Sequence, residues 1–215
     1  MESATITLNY TKMNLKQFKI RASSAGDLAT KPRSKDEVLS QTGKSYIEDW
    51  IKYQIYGVRK QIKSKYLDKG IQVEDAAIEY AAKELGWLFA EKNEEFFEDD
   101  FFCGTPDVIL EDKIIDIKSS WDCYTFPLFD ESIKNNNYKQ QLQVYMHLTG
   151  KRKAQLVYVL MNTPEELTYE KHKDYTDIDS RYRIKVYDID YKPSDIEFLQ
   201  EQVIAARKYI ESKII

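Results

Sequence analysis

The chain has 215 residues, 42% of them apolar and 32% charged, the balance of a globular protein with one sizeable core. Its 36 acidic and 32 basic residues leave a net charge of −4, which excludes a generic nucleic-acid coat and confines any DNA contact to a local patch. Two cysteines, Cys103 and Cys123, cannot complete a four-cysteine zinc or iron–sulfur site, and two histidines exclude a His-rich metal centre.

No run reaches the roughly 18 apolar residues of a membrane span. The opening Met1-Glu2-Ser3-Ala4-Thr5 has no basic stretch leading into an apolar one, so a cytosolic protein without a signal peptide is expected. Repeats and low-complexity segments are absent, and residues 1–215 read as a single domain. Up to about Gly86 the chain is mainly helical after an irregular start. Ser45 to Tyr56 carries Tyr46, Trp50 and Tyr53 at helical spacing, and a second helix follows Gly70 and stops at Gly86. The Lys-rich run 58–69 reads as a solvated helix face or as a local basic surface. From about 88 to 118 the pattern turns to short strands, with a hairpin within about 95–120. Then come a helix (Tyr138 to Thr149), a buried-looking strand (AQLVYVL), an exposed polar loop from Pro164 to Ser180, a strand (RYRIKVYDI) and a last helix. Pro193 opens that helix, with Ser194 as candidate cap. Helices flanking a central mixed sheet make an α/β (α+β) layer fold.

The chemistry concentrates in Gly104 to Lys118. Two apolar runs flank a polar turn at Glu111-Asp112. Antiparallel pairing symmetric about that turn sets 110 opposite 113, 109 opposite 114, and Asp107 opposite Asp116. Lys118 follows two residues on, on the same face. Val108, Leu110, Ile115 and Ile117 turn to the other, apolar face. Like charges directly opposed destabilise a sheet, and a divalent cation is the usual compensation. All-oxygen ligands suit Mg²⁺ or Mn²⁺, which polarises a phosphate and acidifies a bound water. Lys118 beside that water would orient it, stabilise developing charge, or transfer a proton were its pKa depressed. A structural ion pair on a solvated face is the alternative.

Two further polar residues stand out. In the helix after Gly70, Glu74 shares a stripe with Ile71, Ala77, Ile78, Ala81 and Leu85. A glutamate there needs a partner or a metal unless it lies at the stripe's edge and reaches water. Gln141 shares a side with Tyr138, Tyr145 and Leu148, either as a bonded core amide or as a ligand for a phosphate or the attacking water.

In order along the chain, these residues resemble a known family. Pro106-Asp107, eight intervening residues, then Asp116-Ile117-Lys118 is similar to the PD-(D/E)XK nuclease signature. Gln141-Leu142-Gln143-Val144-Tyr145 resembles the Q-x-x-x-Y motif of the RecB-like branch, and Gly70 to Glu74 the G-x-x-x-E element of lambda exonuclease and YqaJ-type viral recombinases. Ile20-Arg21-Ala22-Ser23 and Lys31-Pro32-Arg33-Ser34 resemble the start of the same exonucleases. The resemblance implies the restriction-endonuclease-like core and an Mg²⁺-dependent exonuclease (Mn²⁺ substituting) that degrades linear double-stranded DNA from the 5′ end in phage-type recombination or repair. It implies two ions held by Asp107, Asp116, the Ile117 carbonyl and Glu74, with Lys118 as catalytic lysine. Ser23, Thr105 and Gln141 match residues that surround the 5′-phosphate. No arginine matches the pocket's basic member, for which Lys16 and Arg21 are the nearest cations. Asp116 stands where this branch more often has glutamate. The resemblance further implies a toroidal homotrimer, a single-strand annealing protein as partner, and, for a phage gene, the cytoplasm of a bacterial host. An endonuclease or single-strand nuclease of the same superfamily, or a non-catalytic DNA-binding module that kept the fold, are the competing readings.

Overall fold

Capping and glycine punctuation set the helices of the computed structural model, which describes residues 18–168 and 174–214. After strand β1 (Ile20–Arg21) and a 3₁₀ turn at Ala22–Ser24 comes the short helix α1 (Ala25–Leu28). Helix α2 (Gln41–Tyr56) starts at Ser40, whose hydroxyl accepts the Gly43 N–H. Helix α3 spans Lys65–Leu85 and α4 spans Asn136–Thr149. These three helices stop at Gly57, Gly86 and Gly150, whose φ values of 67°, 70° and 74° are left-handed and suit glycine. The last helix, α5, covers Pro193–Ile214. Proline occupies the first helical position, where its missing N–H costs nothing, and Ser194 falls inside the first turn rather than capping it.

The expected mixed sheet is present as two sheets. Strand β1 runs parallel to β3 (Phe102–Gly104), which pairs antiparallel with β2 (Phe97–Glu98). The larger sheet has the order β4-β5-β6-β7, formed by Val108–Ile109, Ile114–Ser119, Lys153–Val159 and Ile184–Asp190. Its outer pairs are antiparallel, and the central β5·β6 pair is parallel with α4 as its crossover.

Strand β5 is covered on both faces. Ile115 and Ile117, with Val108, Val157 and Val159, pack against Ala77, Ile78 and Ala81 of α3. Ile114, with Ala154 and Leu156, packs under α4 and α5 against Leu142, Met146, Leu199 and Val203. Burying each such aliphatic side chain is worth about 1.5–3 kcal/mol, so both layers fix the strand's register.

Helix α3 begins at Lys65, five residues before Gly70, and its contact face keeps Ala77, Ile78 and Ala81 of the expected stripe but not its two ends. Lys69, Val73, Ala77 and Ala81, one i, i+4 row, are buried, whereas Ile71 is 63% exposed and Leu85 37%. Ile71 falls on the opposite side of the helix from that row, and Leu85 continues the row but is the last helical residue, where the contact ends. Most of the Lys-rich run is an exposed, non-helical stretch, with only residues 65–69 in the helix. Among the described residues no helix is long and apolar enough to cross a membrane.

Candidate active site

The β4·β5 hairpin has the register read from its turn: Val108 pairs with Ile115 and Ile109 with Ile114. Continued outward, it sets Asp107 opposite Asp116 and Pro106 opposite Ile117. At a pair of this kind the two residues exchange both backbone hydrogen bonds. Pro106 has no N–H to give, so β4 cannot close the ladder on the Ile117 carbonyl. The Ile117 N–H goes instead to Asp107, whose Oδ2 accepts it at 2.7 Å. N–H and C=O of one strand residue point to the same side, so the Ile117 carbonyl also points toward Asp107. The proline of the motif thus opens the sheet edge where two carboxylates and a carbonyl meet. Asn93 anchors that opening: its N–H donates to the Asp107 carbonyl at 2.8 Å and its side-chain amide to the Pro106 carbonyl at 3.0 Å.

Asp116 has no solvent exposure. One of its oxygens accepts from Gln141 Nε2 at 2.9 Å and the other faces Lys118 Nζ at 2.6 Å. Gln141 also donates to the Tyr145 hydroxyl at 3.1 Å, so the glutamine of the Q-x-x-x-Y turn of α4 bridges its tyrosine and Asp116. The Lys118 ammonium lies 5.1 Å from the centre of the Tyr138 ring, one turn earlier on α4.

The electrostatics follow from this burial. Desolvation, and then the neighbouring Asp116, push Asp107 up to about 7 against the opposing pull of Lys118 and the Ile117 N–H. Asp116 is raised as well, chiefly by burial, with Lys118 pulling the other way. Burial works against the charge on Lys118, but Asp116 and Asp107 outweigh it and raise its pKa above the ordinary lysine value. With no metal on the two carboxylates, this arrangement holds Lys118 as a cation rather than producing the depressed lysine that a proton-transfer role would need. Two carboxylates with only one ammonium between them leave a buried excess of negative charge.

Glu74 lies at the edge of the α3 contact stripe, 30% exposed, and its carboxylate meets Lys92 at 3.2 Å. It is near enough to Asp107 and Asp116 to contribute to raising both. Among the described residues no three His, Cys, Asp or Glu side chains form a ready-made metal cage. The donor set is the fully buried Asp116, the half-buried Asp107, a ladder-free carbonyl and Glu74 at the margin. It is all oxygen and incomplete, which fits Mg²⁺, an ion that keeps several waters.

The remaining predicted residues fall around this centre. Ser23 is exposed in the 3₁₀ turn and Thr105 is half-buried before the hairpin. The turn, β3 and α4 meet at Gly104, where a Cβ would stand 2.8 Å from the Tyr145 ring and 3.0 Å from Ala22. This close approach sets Ser23 and Thr105 on the α4 side of the site. Arg21 is exposed on β1, near enough to Cys103 to influence its thiol. Lys16 lies outside the described residues. Sequence reasoning did not single out Asn93 or Lys92, and it took Lys69, the end of the Lys-rich run, for part of a solvated or basic surface, whereas Lys69 is buried. None belongs to the motifs, and each acts through partners distant in the chain.

A scan of family models and a search of curated proteins gave no match. Solved structures match well. A phage-related exonuclease from Haemophilus somnus 129PT is 31% identical with a TM-score of 0.83, over 92% of this chain and 95% of that one. An alkaline exonuclease from Laribacter hongkongensis, 18% identical with a TM-score of 0.69 over 91% and 89% of the two chains, shares the fold. The same protein in complex with dAMP gives a TM-score of 0.68.

Proposed function

Since this chain belongs to the lambda exonuclease/YqaJ-type family of PD-(D/E)XK nucleases, we propose that it is an Mg²⁺-dependent exonuclease digesting linear double-stranded DNA from the 5′ end. One observation carries the reading: Asp107 and Asp116 oppose each other in a buried hairpin, with Lys118 on the same face and Gln141 bonded to Asp116. A decayed nuclease would have no use for a buried excess of negative charge, which costs stability unless a cation answers it.

Asp107, Asp116 and the Ile117 carbonyl would hold the metal, with Glu74 as a further carboxylate once Lys92 gives way. The ion supplies Lewis-acid polarisation of a phosphate and a water acidic enough to attack near neutral pH. The chain's own groups do the positioning. The Ile117 N–H holds Asp107 in one orientation, and Gln141, itself held by Tyr145, does so for Asp116. Lys118, charged because two carboxylates flank it, sits where it would stabilise the charge that develops on the phosphate. Ser23 and Thr105 offer hydroxyls for a 5′-phosphate, and Arg21, at the end of β1, immediately precedes the turn that carries Ser23. The dAMP complex of the Laribacter enzyme supports a nucleotide-sized site on this fold. A homotrimer encircling the duplex, working beside an annealing protein in the cytoplasm, completes the proposal. The row Tyr56, Val58, Ile62 and Leu67, each about half exposed or more and interspersed with Arg59, Lys60 and Lys63, supports a surface that a second copy or DNA covers.

The test is incubation with Mg²⁺ and 5′-phosphorylated linear duplex, beside 5′-hydroxyl duplex and closed circular DNA, with Lys118→Ala as control. Mononucleotide release from the phosphorylated linear DNA, lost in the variant, is the expected result. Nicking of the circle would shift the assignment to an endonuclease, and absence of metal-dependent cleavage of all three to a non-catalytic DNA-binding module.

A further inference from the structure

Lys69 is a fully buried lysine away from the carboxylate centre. It lies on the first turns of α3, and its ammonium donates to three backbone carbonyls: Ser120 at 2.6 Å, Trp121 at 2.9 Å and Met161 at 2.7 Å. All three protons are used, each on a different residue. Ser120 and Trp121 immediately follow β5, two and three residues past Lys118, and Met161 follows β6 by two residues. The Trp121 carbonyl also takes the Thr163 hydroxyl at 2.8 Å, and the Trp121 ring packs edge-on against Tyr66 at 5.1 Å. One ammonium therefore gathers the open ends of the two central strands onto the helix that bears Glu74.

We propose that Lys69 is a positioning residue for catalysis: it sets the height of α3 over β5, and with it the distance from Glu74 to Asp107 and Asp116. The inference rests on the metal-nuclease reading of that site. The geometry is specific. The carboxylates of the hairpin belong to the sheet, whereas Glu74 belongs to the helix. Val73, Ala77 and Ala81 bind that helix to the sheet only through non-directional apolar contact, which tolerates sliding by part of a turn. Three charge-assisted hydrogen bonds from one atom at the helix start remove that freedom. A methionine at this position would keep the packing volume and lose all three bonds, leaving the Trp121 carbonyl to Thr163 alone and removing the ammonium from those of Ser120 and Met161.

The experiment compares the full chain with Lys69→Met and Lys69→Arg, using circular dichroism and thermal unfolding, Mn²⁺ binding by electron paramagnetic resonance without DNA, and kcat and KM on linear duplex. Lys69→Met should stay folded, keep KM within about twofold, and lose roughly 10–100-fold in Mn²⁺ affinity and kcat, the size of effect seen when a metal ligand loses its support. Lys69→Arg, which keeps the charge but has a larger planar head, should show the same pattern at smaller size. It serves alone if the methionine variant does not fold. Folded variants with Mn²⁺ affinity and kcat within about twofold of the parent would overturn the proposal, as would a kcat loss restored fully by cooling below the lowered Tm. Mn²⁺ binding that depends on Lys69 in a chain that cleaves no DNA would uphold the positioning role and overturn the nuclease reading instead.

Discussion

Replacing Asp107 with asparagine should stabilise the metal-free protein while abolishing its activity. The carboxyl is pushed from 3.8 up to about 7, mainly by burial and then by Asp116. A carboxyl whose folded pKa lies above its unfolded value helps the fold while protonated. That contribution is whole below about pH 4 and is lost as pH rises to about 7. Each pH unit of difference is worth 1.36 kcal/mol, so the loss reaches about 4 kcal/mol, an upper figure because Asp107 keeps some contact with water. Asparagine carries no charge and can still accept the Ile117 N–H. Urea unfolding in EDTA at pH 4.5 and pH 8, on parent and Asp107→Asn, separates this group from all other titrations by a double difference. The variant should gain about 2–4 kcal/mol on the parent between the two pH values. Saturating Mg²⁺ at pH 8 should erase the gap by stabilising the parent alone. A difference that does not change with pH, or a parent indifferent to Mg²⁺, would refute the picture of a buried negative excess answered by a cation.

Other outcomes follow from the same geometry. Lys118→Ala should lower the cleavage rate by about 10²-fold or more. It should also cost about 3–5 kcal/mol, because Asp116 is left buried without its cation, and adding Asp116→Asn should recover most of that in denaturant titrations. Gly104→Ala would drive a methyl to 2.8 Å from the Tyr145 ring, costing about 1–3 kcal/mol and loosening Gln141, so kcat should fall along with thermal stability. Pro106→Ala supplies the missing N–H to the Ile117 carbonyl. Stability should change by about 1 kcal/mol or less while the Mg²⁺ concentration for half-maximal cleavage rises several-fold, read from rate against metal concentration.

The hairpin was legible from sequence because two rules agree there: side chains alternate with period two, and the polar turn fixes the register. Asp107, Asp116, Lys118 and the apolar face of Val108, Ile115 and Ile117 all fall where that pattern put them. Gln141 and Tyr145 were legible as a helical i, i+4 pair, though not that Gln141 would bridge Tyr145 and Asp116. The contact face of α3 was read correctly at Ala77, Ile78 and Ala81 but missed at its start, because its ridge there contains Lys69. A lysine reads as solvent-facing until the three carbonyls that bury it, from residues 51 to 92 positions away, are in view. The division into two sheets rests on strands of two and three residues, too short for alternation to register. Asn93 and Lys92 hold their partners through loop geometry that no periodicity encodes.

Strand β5 presents one set of residues to α3 and the alternate set to α4, so its roles are assigned by parity. Adding or removing a single residue within it would carry Asp116 into the aliphatic layer and an isoleucine into the carboxylate centre, inverting both at once. The turn at Glu111-Asp112 is exposed and outside both layers. Length variation among relatives should therefore collect at that turn, so that the number of residues between the two aspartates drifts while the interval from Asp116 to Lys118 stays fixed.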